Sequence, residues 1–402
     1  MARVLLVTGK GGVGKSTTAA ALAIDAARRG LSTLLMSTDA AHSVGDVLAV
    51  PTTAAAHWSQ TVTVDEHLEV QAVGAGTEVG ADWCVVQGYL LKLLAGLGID
   101  PVVADELTAL PGAEELAALL ALAAHATAGR HDVVVVDCAP TAETLRLLAL
   151  PGLLGWHLAR LLPAQRRLLT ALRPAAASAT GLPLPGPEVL AVVEDWRSRM
   201  ATVHSLLTGA HTSVRIVLTP ERMVLAEGRR LHTSLALHGY AVDGIVVNRL
   251  FPADGDAWRA GWSRTQAQGL SEVLTSFPGI TVTTLPYAAS EPIGIAALVA
   301  LWSHSQTLTG PEPSLLDPVT GNPLRVEVDG PGFVLRLAAL NTHSGDVELL
   351  RRDDDLVVTV GGERRVVALP SVLRRCVVEN ASVGHGELKV RFARDPRMWP
   401  SG

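Results

Sequence analysis

Nine residues near the amino terminus, GKGGVGKST at 9–17, constrain this chain more than any other stretch. They follow the apolar run Val4–Val7 and precede Ser16–Arg29, an alanine-rich segment with helical spacing. A glycine-rich turn between a strand and a helix is the phosphate-loop arrangement. Gly9, Gly11, Gly12 and Gly14 let the backbone turn, so that the loop, Val13 included, aims its N–H groups at phosphate oxygens. The head of the following helix adds partial positive charge at the same place. In such a loop Lys15 contacts the β- and γ-phosphates, Ser16 ligates Mg²⁺ and Thr17 bonds the α-phosphate. ATP with Mg²⁺ is the expected ligand.

Composition explains why a second loop residue stands out. The chain uses arginine for most of its positive charge; its lysines are Lys10, Lys15, Lys92 and Lys389, and two of these fall inside the loop. The net charge of −6, with arginine pairs scattered among carboxylates, argues against a nucleic-acid surface. Cys84, Cys138 and Cys376 lie far apart and form neither a disulfide framework nor a metal motif. No uninterrupted apolar stretch of about 18 residues occurs, and the glycine loop comes too early for a signal peptide, so a cytoplasmic location is expected.

Short aliphatic runs at Val4–Val7, Thr33–Ser37, Leu68–Val73, Val133–Val136, Val214–Leu218, Ile245–Val247 and Ile280–Leu285 alternate with Ala/Leu-rich helical stretches. Strands without a polar face, separated by helices, predict an α/β fold with a mostly parallel sheet. Two intervals, about 74–130 and 152–211, exceed what a crossover needs and predict an inserted helical subdomain. Arg173–Pro187 reads as a loop within the second. Around Thr309–Pro323 the texture becomes rich in Pro and Gly, and seven alternating segments follow between Leu324 and Phe392. These predict a small all-β sandwich. The division is placed between residues 1–311 and 312–402.

The loop's form, K-G-G-x-G-K-[ST], is the deviant Walker A pattern shared by the ArsA, nitrogenase-iron-protein and ParA/MinD groups. Residues 37–43, STDAAHS, resemble the S-T-D-P-A-H-S switch of the ArsA family and of tail-anchored-protein targeting ATPases, with Ala40 replacing proline. Residues 132–150 resemble the D-T-A-P-T-G-H-T-L-R signature, matching at Asp137, Ala139, Pro140, Thr141, Thr144, Leu145 and Arg146 and departing at Cys138, Ala142 and Glu143. The resemblance spans about residues 1–305 and implies a homodimeric ATPase. Lys10 would cross to the partner's nucleotide, Asp39 would orient or deprotonate the attacking water, and Asp137 would reach Mg²⁺ through a water. Asp46 would support the magnesium network, and Pro140 and Thr141 would form part of the γ-phosphate switch. Pro220, Glu221, Glu227 and Arg230 resemble the helix that contacts nucleotide across the dimer. Asn248 and the Pro286–Gly294 loop resemble the adenine contacts. A strand-end asparagine is commonly a plain cap, but its order after the switches favours the base.

Leu154, Leu158, Leu161, Leu162, Leu168, Leu169 and Leu172 form an apolar stripe. It reads first as packing against the sheet or a second subunit, and alternatively as a groove for a hydrophobic or transmembrane client. The tail, at Asp355, Leu356, Gly361, Arg364, Arg365, Leu369, Pro370, Gly386, Leu388 and Val390, resembles the α-crystallin-type domain of small heat-shock proteins. Nucleotide-driven closure that serves targeting or chaperoning of a hydrophobic protein is the expected role. The alternatives are the motor of an arsenite or other anion efflux system, with a membrane-protein partner, and a non-catalytic nucleotide switch.

Overall fold

The computed structural model describes residues 1–38, 43–50, 61–72, 77–96, 99–100, 113–139, 141, 144–145, 148, 186–252, 256–319, 323–339, 344–360, 363–384 and 386–399. Seven strands form the parallel body of one sheet: β1 (Arg3–Thr8), β2 (Thr33–Ser37), β4 (Leu68–Ala72), β5 (Val133–Asp137), β6 (Thr212–Leu218), β7 (Val242–Leu250) and β8 (Thr281–Pro286). All seven were anticipated from their apolar runs. Two short edge strands were not: β3 (Val62–Asp65) and β9 (Gln306–Thr309), which pair antiparallel with β4 and β8. The order β3-β4-β2-β5-β1-β6-β7-β8-β9 puts β1 at the centre, flanked by β5 and β6.

Strands buried on both faces require a helical layer on each side, and both layers are present. Helices α1 (Lys15–Arg28) and α8 (Ile295–Ser303) cover one face through Leu22, Ile24 and Leu298. The other face is covered by α4 (Ala113–Thr127), α5 (Pro187–Leu207), α6 (Arg222–Leu237) and α7 (Ala257–Ser276), through Leu119, Met200, Leu231 and Val273. With α3 (Thr77–Gly96), α4 and α5 pack on one another as the helical insertion. The leucine stripe at 154–172 and the 173–185 stretch lie outside the described residues.

A buried ionic cluster closes the sheet at the end away from the glycine loop. The Asp243 carboxylate lies 3.1 Å from Arg3 and 3.3 Å from Arg215. Arg3 also donates to Ser213 Oγ at 2.6 Å, and Arg215 donates to the Pro313 carbonyl at 3.2 Å. Leu315 enters the core beneath the sheet, and the Val319 amide donates to the Ala210 carbonyl at 2.7 Å. The segment leading to the tail is thus held against the sheet body.

Beyond it all seven anticipated tail strands form. β10 (Leu324–Asp329), β11 (Gly332–Ala338), β16 (Glu387–Arg394) and β15 (Cys376–Gly384) make one antiparallel sheet. β12 (Val347–Arg352), β13 (Asp355–Val360) and β14 (Glu363–Ala368) make another. Leu335, Leu388, Val390 and Phe392 of the first meet Leu356, Val358 and Val367 of the second in one core. Ala236 and Leu237 from the end of α6 join that core, so the tail is packed on the sheet body rather than merely tethered to it.

Two histidines beside this junction set a pH response. His232 meets Phe277 edge-on at 5.8 Å, and its Nδ1 finds no hydrogen-bond partner among the described residues. Burial holds it at about 4. His238 is also held at about 4, first by burial and then by the Arg365 charge. Both values lie below that of an unfolded imidazole. As pH falls from about 6.5 toward 4, the unfolded chain therefore binds protons that the folded chain refuses, and stability declines. The urea midpoint is expected to be lower at pH 5 than at pH 7.5, and His232→Leu should narrow the difference.

Candidate functional site

The site is built where β1 stops. Residue 9 can only be glycine, because a Cβ there would stand 2.1 Å from the Val217 carbonyl oxygen of β6. The loop therefore leaves the sheet pressed against its neighbour strand. At the far end Gly14 has φ 93, a left-handed conformation that favours glycine, and a Cβ there would meet Asn248 Nδ2 at 2.3 Å. Between them Val13 is buried in the core and anchors the loop from below. The Gly14 carbonyl accepts from the Thr18 amide at 3.0 Å and the Thr18 hydroxyl at 2.8 Å, closing the first turn of α1.

Asn248 ends the buried part of β7 and is 5% exposed. Its Nδ2 donates to the Val13 carbonyl at 2.9 Å, and its Oδ1 accepts from the Arg249 amide at 2.8 Å. The side chain thus supports the loop itself. This role joins positions 235 apart in the chain and left no local mark in the sequence.

The two loop lysines stand in opposite environments. Lys15, at the head of α1, is 6% exposed. The Lys10 side chain is 37% exposed at the mouth of the loop, with its Nζ 3.4 Å from Glu227 Oε2 on α6. Lys10 is therefore held at the rim of the loop by a carboxylate of its own chain. Glu221 stands at the N-terminal boundary of α6, where its side chain makes no capping hydrogen bond, and lines the same mouth.

Beside the loop, β5 pairs with β1 so that Asp137 stands opposite Val7. Asp137 is completely buried, and its carbonyl accepts from the Thr38 amide at 3.0 Å, tying the residue that precedes Asp39 to the end of β5. Cys138 is also completely buried, and burial, with the Asp137 charge, pushes its thiol well above the usual range. It stays a neutral thiol. Thr144 bridges the Thr8 hydroxyl at 3.3 Å and the Ala139 carbonyl at 2.6 Å, fastening the segment after Asp137 to the end of β1. The Thr141 hydroxyl is buried without a hydrogen-bond partner among the described residues. Asp46 lies exposed on α2 (Ser43–Leu48), and the neighbouring Val47 carbonyl accepts from the Gly294 amide at 2.8 Å. The loop after Pro286 thereby touches α2. Asp39 and Pro140 lie outside the described residues.

A cleft of about 430 Å³ opens from the loop. Lys10, Gly11, Gly12 and Val13 form one wall; Phe251, Trp258, Trp262 and Tyr287 contribute much of the rest. Tyr287 falls in the Pro286–Gly294 loop already singled out; Phe251, Trp258 and Trp262 were not anticipated. The available signal was their density, since aromatic residues make up only 4% of the chain yet all three fall within 251–262.

Comparison with known proteins agrees with this geometry. The profile of the family described as anion-transporting ATPase, ArsA type, matches residues 2–307. That of the HSP20-like domain found in ArsA matches residues 330–392. Protein Rv2184c of Mycobacterium tuberculosis is 37% identical, with 100% of this chain and 98% of that one covered. A putative arsenical pump-driving ATPase of Aquifex aeolicus is 30% identical, over 96% of this chain and 99% of its own length. ATPase get3 of Aspergillus terreus is 29% identical over 73% of this chain and 87% of its own.

Proposed function

The chain belongs to the ArsA family of anion-transporting ATPases and hydrolyses ATP, and from that premise we propose that it works as a homodimer whose nucleotide-driven closure serves a hydrophobic protein client. The observation that carries the dimer is Lys10. Its ammonium lies partly exposed at the rim of its own loop, 3.4 Å from Glu227, and in this reading it exchanges that contact for a second copy's nucleotide. There it offsets negative charge that develops as the γ-phosphoryl group transfers.

Within one chain, the loop amides and Lys15 hold the triphosphate. The Ser16 hydroxyl and the Asp137 carboxylate, the latter brought beside the loop by the pairing of β1 with β5, would hold Mg²⁺, whose charge would offset that of the β- and γ-phosphates. Asp39 is the residue we assign to the attacking water, on the strength of the STDAAHS match. The reading divides the chain near residue 312, with nucleotide chemistry before it and client handling after it.

Lys10→Ala is expected to leave the KM for ATP within a few-fold of the parent while lowering kcat about a hundredfold. Equal turnover by variant and parent would remove the trans-lysine reading. The role in client handling is tested by ATPase rates of the full chain with a hydrophobic peptide, with arsenite, and with neither. Stimulation by the peptide alone is expected. The three cysteines are free, and Cys138 and Cys376 are buried, which leaves poor thiol chemistry for arsenite. Stimulation by arsenite alone would favour an anion-pump motor instead. Among the described residues no helix is long and apolar enough to cross a membrane, so such a motor would need a membrane partner.

A further inference from the structure

The segment that follows Asp137 is fastened at two points. Thr144 ties its near end to the Thr8 hydroxyl and the Ala139 carbonyl. At its far end the Tyr240 hydroxyl donates to the Leu148 carbonyl, a bond between residues 92 positions apart. Leu148 is 1% exposed and Tyr240 2%, so water has little access to this contact. Burial pushes the phenol well above its usual range, and it stays a protonated donor. Pro140 and Thr141, which the sequence match assigns to the γ-phosphate switch, fall between Ala139 and Leu148.

Tyr240 belongs equally to the junction with the tail. It stands just beyond α6, the helix that carries Glu227 beside Lys10 and ends with Ala236 and Leu237 in the tail core. On β14, Arg365 pairs with Val358 and alternates with Val367, both of them tail-core residues, so its side chain leaves the strand on the same inward face. There its charge acts on His204, His238 and Tyr240. Burial lowers the Arg365 guanidinium, and Tyr240 is the neighbour that opposes this. The His238 ring lies nearly parallel to that of Tyr240, 4° apart with centroids at 6.2 Å. A cation near a phenol oxygen polarises the O–H and strengthens it as a donor.

We propose that Tyr240 is a positioning residue for ATP hydrolysis, through which the tail orders the segment behind Asp137 and the nucleotide state of that segment alters the docking of the tail. The two directions are one coupling. Whatever free energy tail docking lends to one arrangement of the segment must act on docking when nucleotide changes that arrangement. The inference rests on the segment behind Asp137 answering to the γ-phosphate; it needs neither a second copy nor a client.

The experiment compares the full chain with Tyr240→Phe, Arg365→Met, Arg365→Lys and the Tyr240→Phe/Arg365→Met double variant. Readouts are kcat and KM for ATP, the thermal melt, and hydrogen exchange with and without magnesium and a non-hydrolysable ATP analogue. Tyr240→Phe should lower kcat about tenfold and leave KM within about twofold. Arg365→Met should lower kcat by about threefold or more, and Arg365→Lys, which keeps the charge, should restore most of it. The double variant should be no slower than Tyr240→Phe, because both changes act through one bond. In the parent, the analogue should slow exchange over 139–148 and on β14. In Tyr240→Phe the first response should persist and the second vanish.

A lowered melt with unchanged kcat overturns the proposal and leaves Tyr240 a core residue only. Faster turnover overturns it too, because the contact would then be a brake. So does a double variant slowed by the product of the single effects, since Arg365 would then act elsewhere. Should Tyr240→Phe fail to fold, Arg365→Met and the exchange pattern of the parent decide. A parent whose 139–148 segment ignores the analogue refutes the γ-phosphate switch and takes this inference with it. A response at 139–148 with none on β14 refutes the coupling alone.

Discussion

Lys15→Ala is expected to lower ATP turnover at least about a thousandfold, the largest catalytic effect of any single substitution in this chain. The side chain is 6% exposed at the first position of α1, where loop amides and the helix head already converge. A charge in that position acts through little water, so its attraction to the β- and γ-phosphates is screened far less than that of an exposed lysine. The loss should appear in both ATP affinity and kcat, because Lys15 touches the phosphates before and during transfer. Stability should change little, since Asn248, Val13 and Thr18 hold the loop without the ammonium. Calorimetric titration with ATP, together with steady-state turnover and a urea melt, checks all three points. A turnover loss of less than about tenfold would move the phosphate grip away from Lys15. The contrast with Lys10 is the informative part: two lysines five positions apart, one affecting binding and chemistry, the other chemistry alone.

How far the sequence anticipated this site follows from the range of the interactions. The glycine loop was legible because strand, turn and helix are contiguous in GKGGVGKST and its flanks. Asp137 was legible because it ends an unbroken apolar run, Val133–Val136, whose burial on both faces could be inferred. The parallel sheet followed from six further runs of the same kind. The edge strands β3 and β9 were missed for the converse reason. VTVD and QTLT are short, polar and largely exposed, so neither carries the apolar signal on which the reading relied. Asn248 was recognised as a site residue, but its grip on the Val13 carbonyl could not be read, because it depends on β7 lying two strands from β1. The Pro286–Gly294 loop was singled out, but that its Tyr287 meets Phe251 could not be read, because the two join only through the pairing of β7 with β8, which sets the Tyr287 amide 2.8 Å from the Leu250 carbonyl.

The largest stability effect is expected at the opposite end of the sheet. Asp243→Ala should destabilise the chain by about 3–5 kcal/mol, because it strands two buried guanidinium groups at once. The carboxylate is 7% exposed and is shared by Arg3, 1% exposed, and Arg215, 5% exposed, at 3.1 and 3.3 Å. Burial alone disfavours the charged form of Arg3; the Asp243 charge is what chiefly opposes that effect, and the Arg215 charge adds to the burden. Without Asp243 the two cations repel each other in a medium too apolar to screen them. Asp243→Asn, which keeps an acceptor but no charge, should fall between parent and alanine variant. Because β1 rises about 3.3 Å per residue, Arg3 lies roughly 17 Å from the end of the strand, and kcat at low temperature should be unaffected. Urea unfolding of all three proteins, with turnover measured in parallel, decides the matter. If the alanine variant melts with the parent, water rather than Asp243 must already satisfy these arginines. The cluster would then be open to solvent, and the path of the 312–319 segment across Arg215 would not seal this end of the sheet.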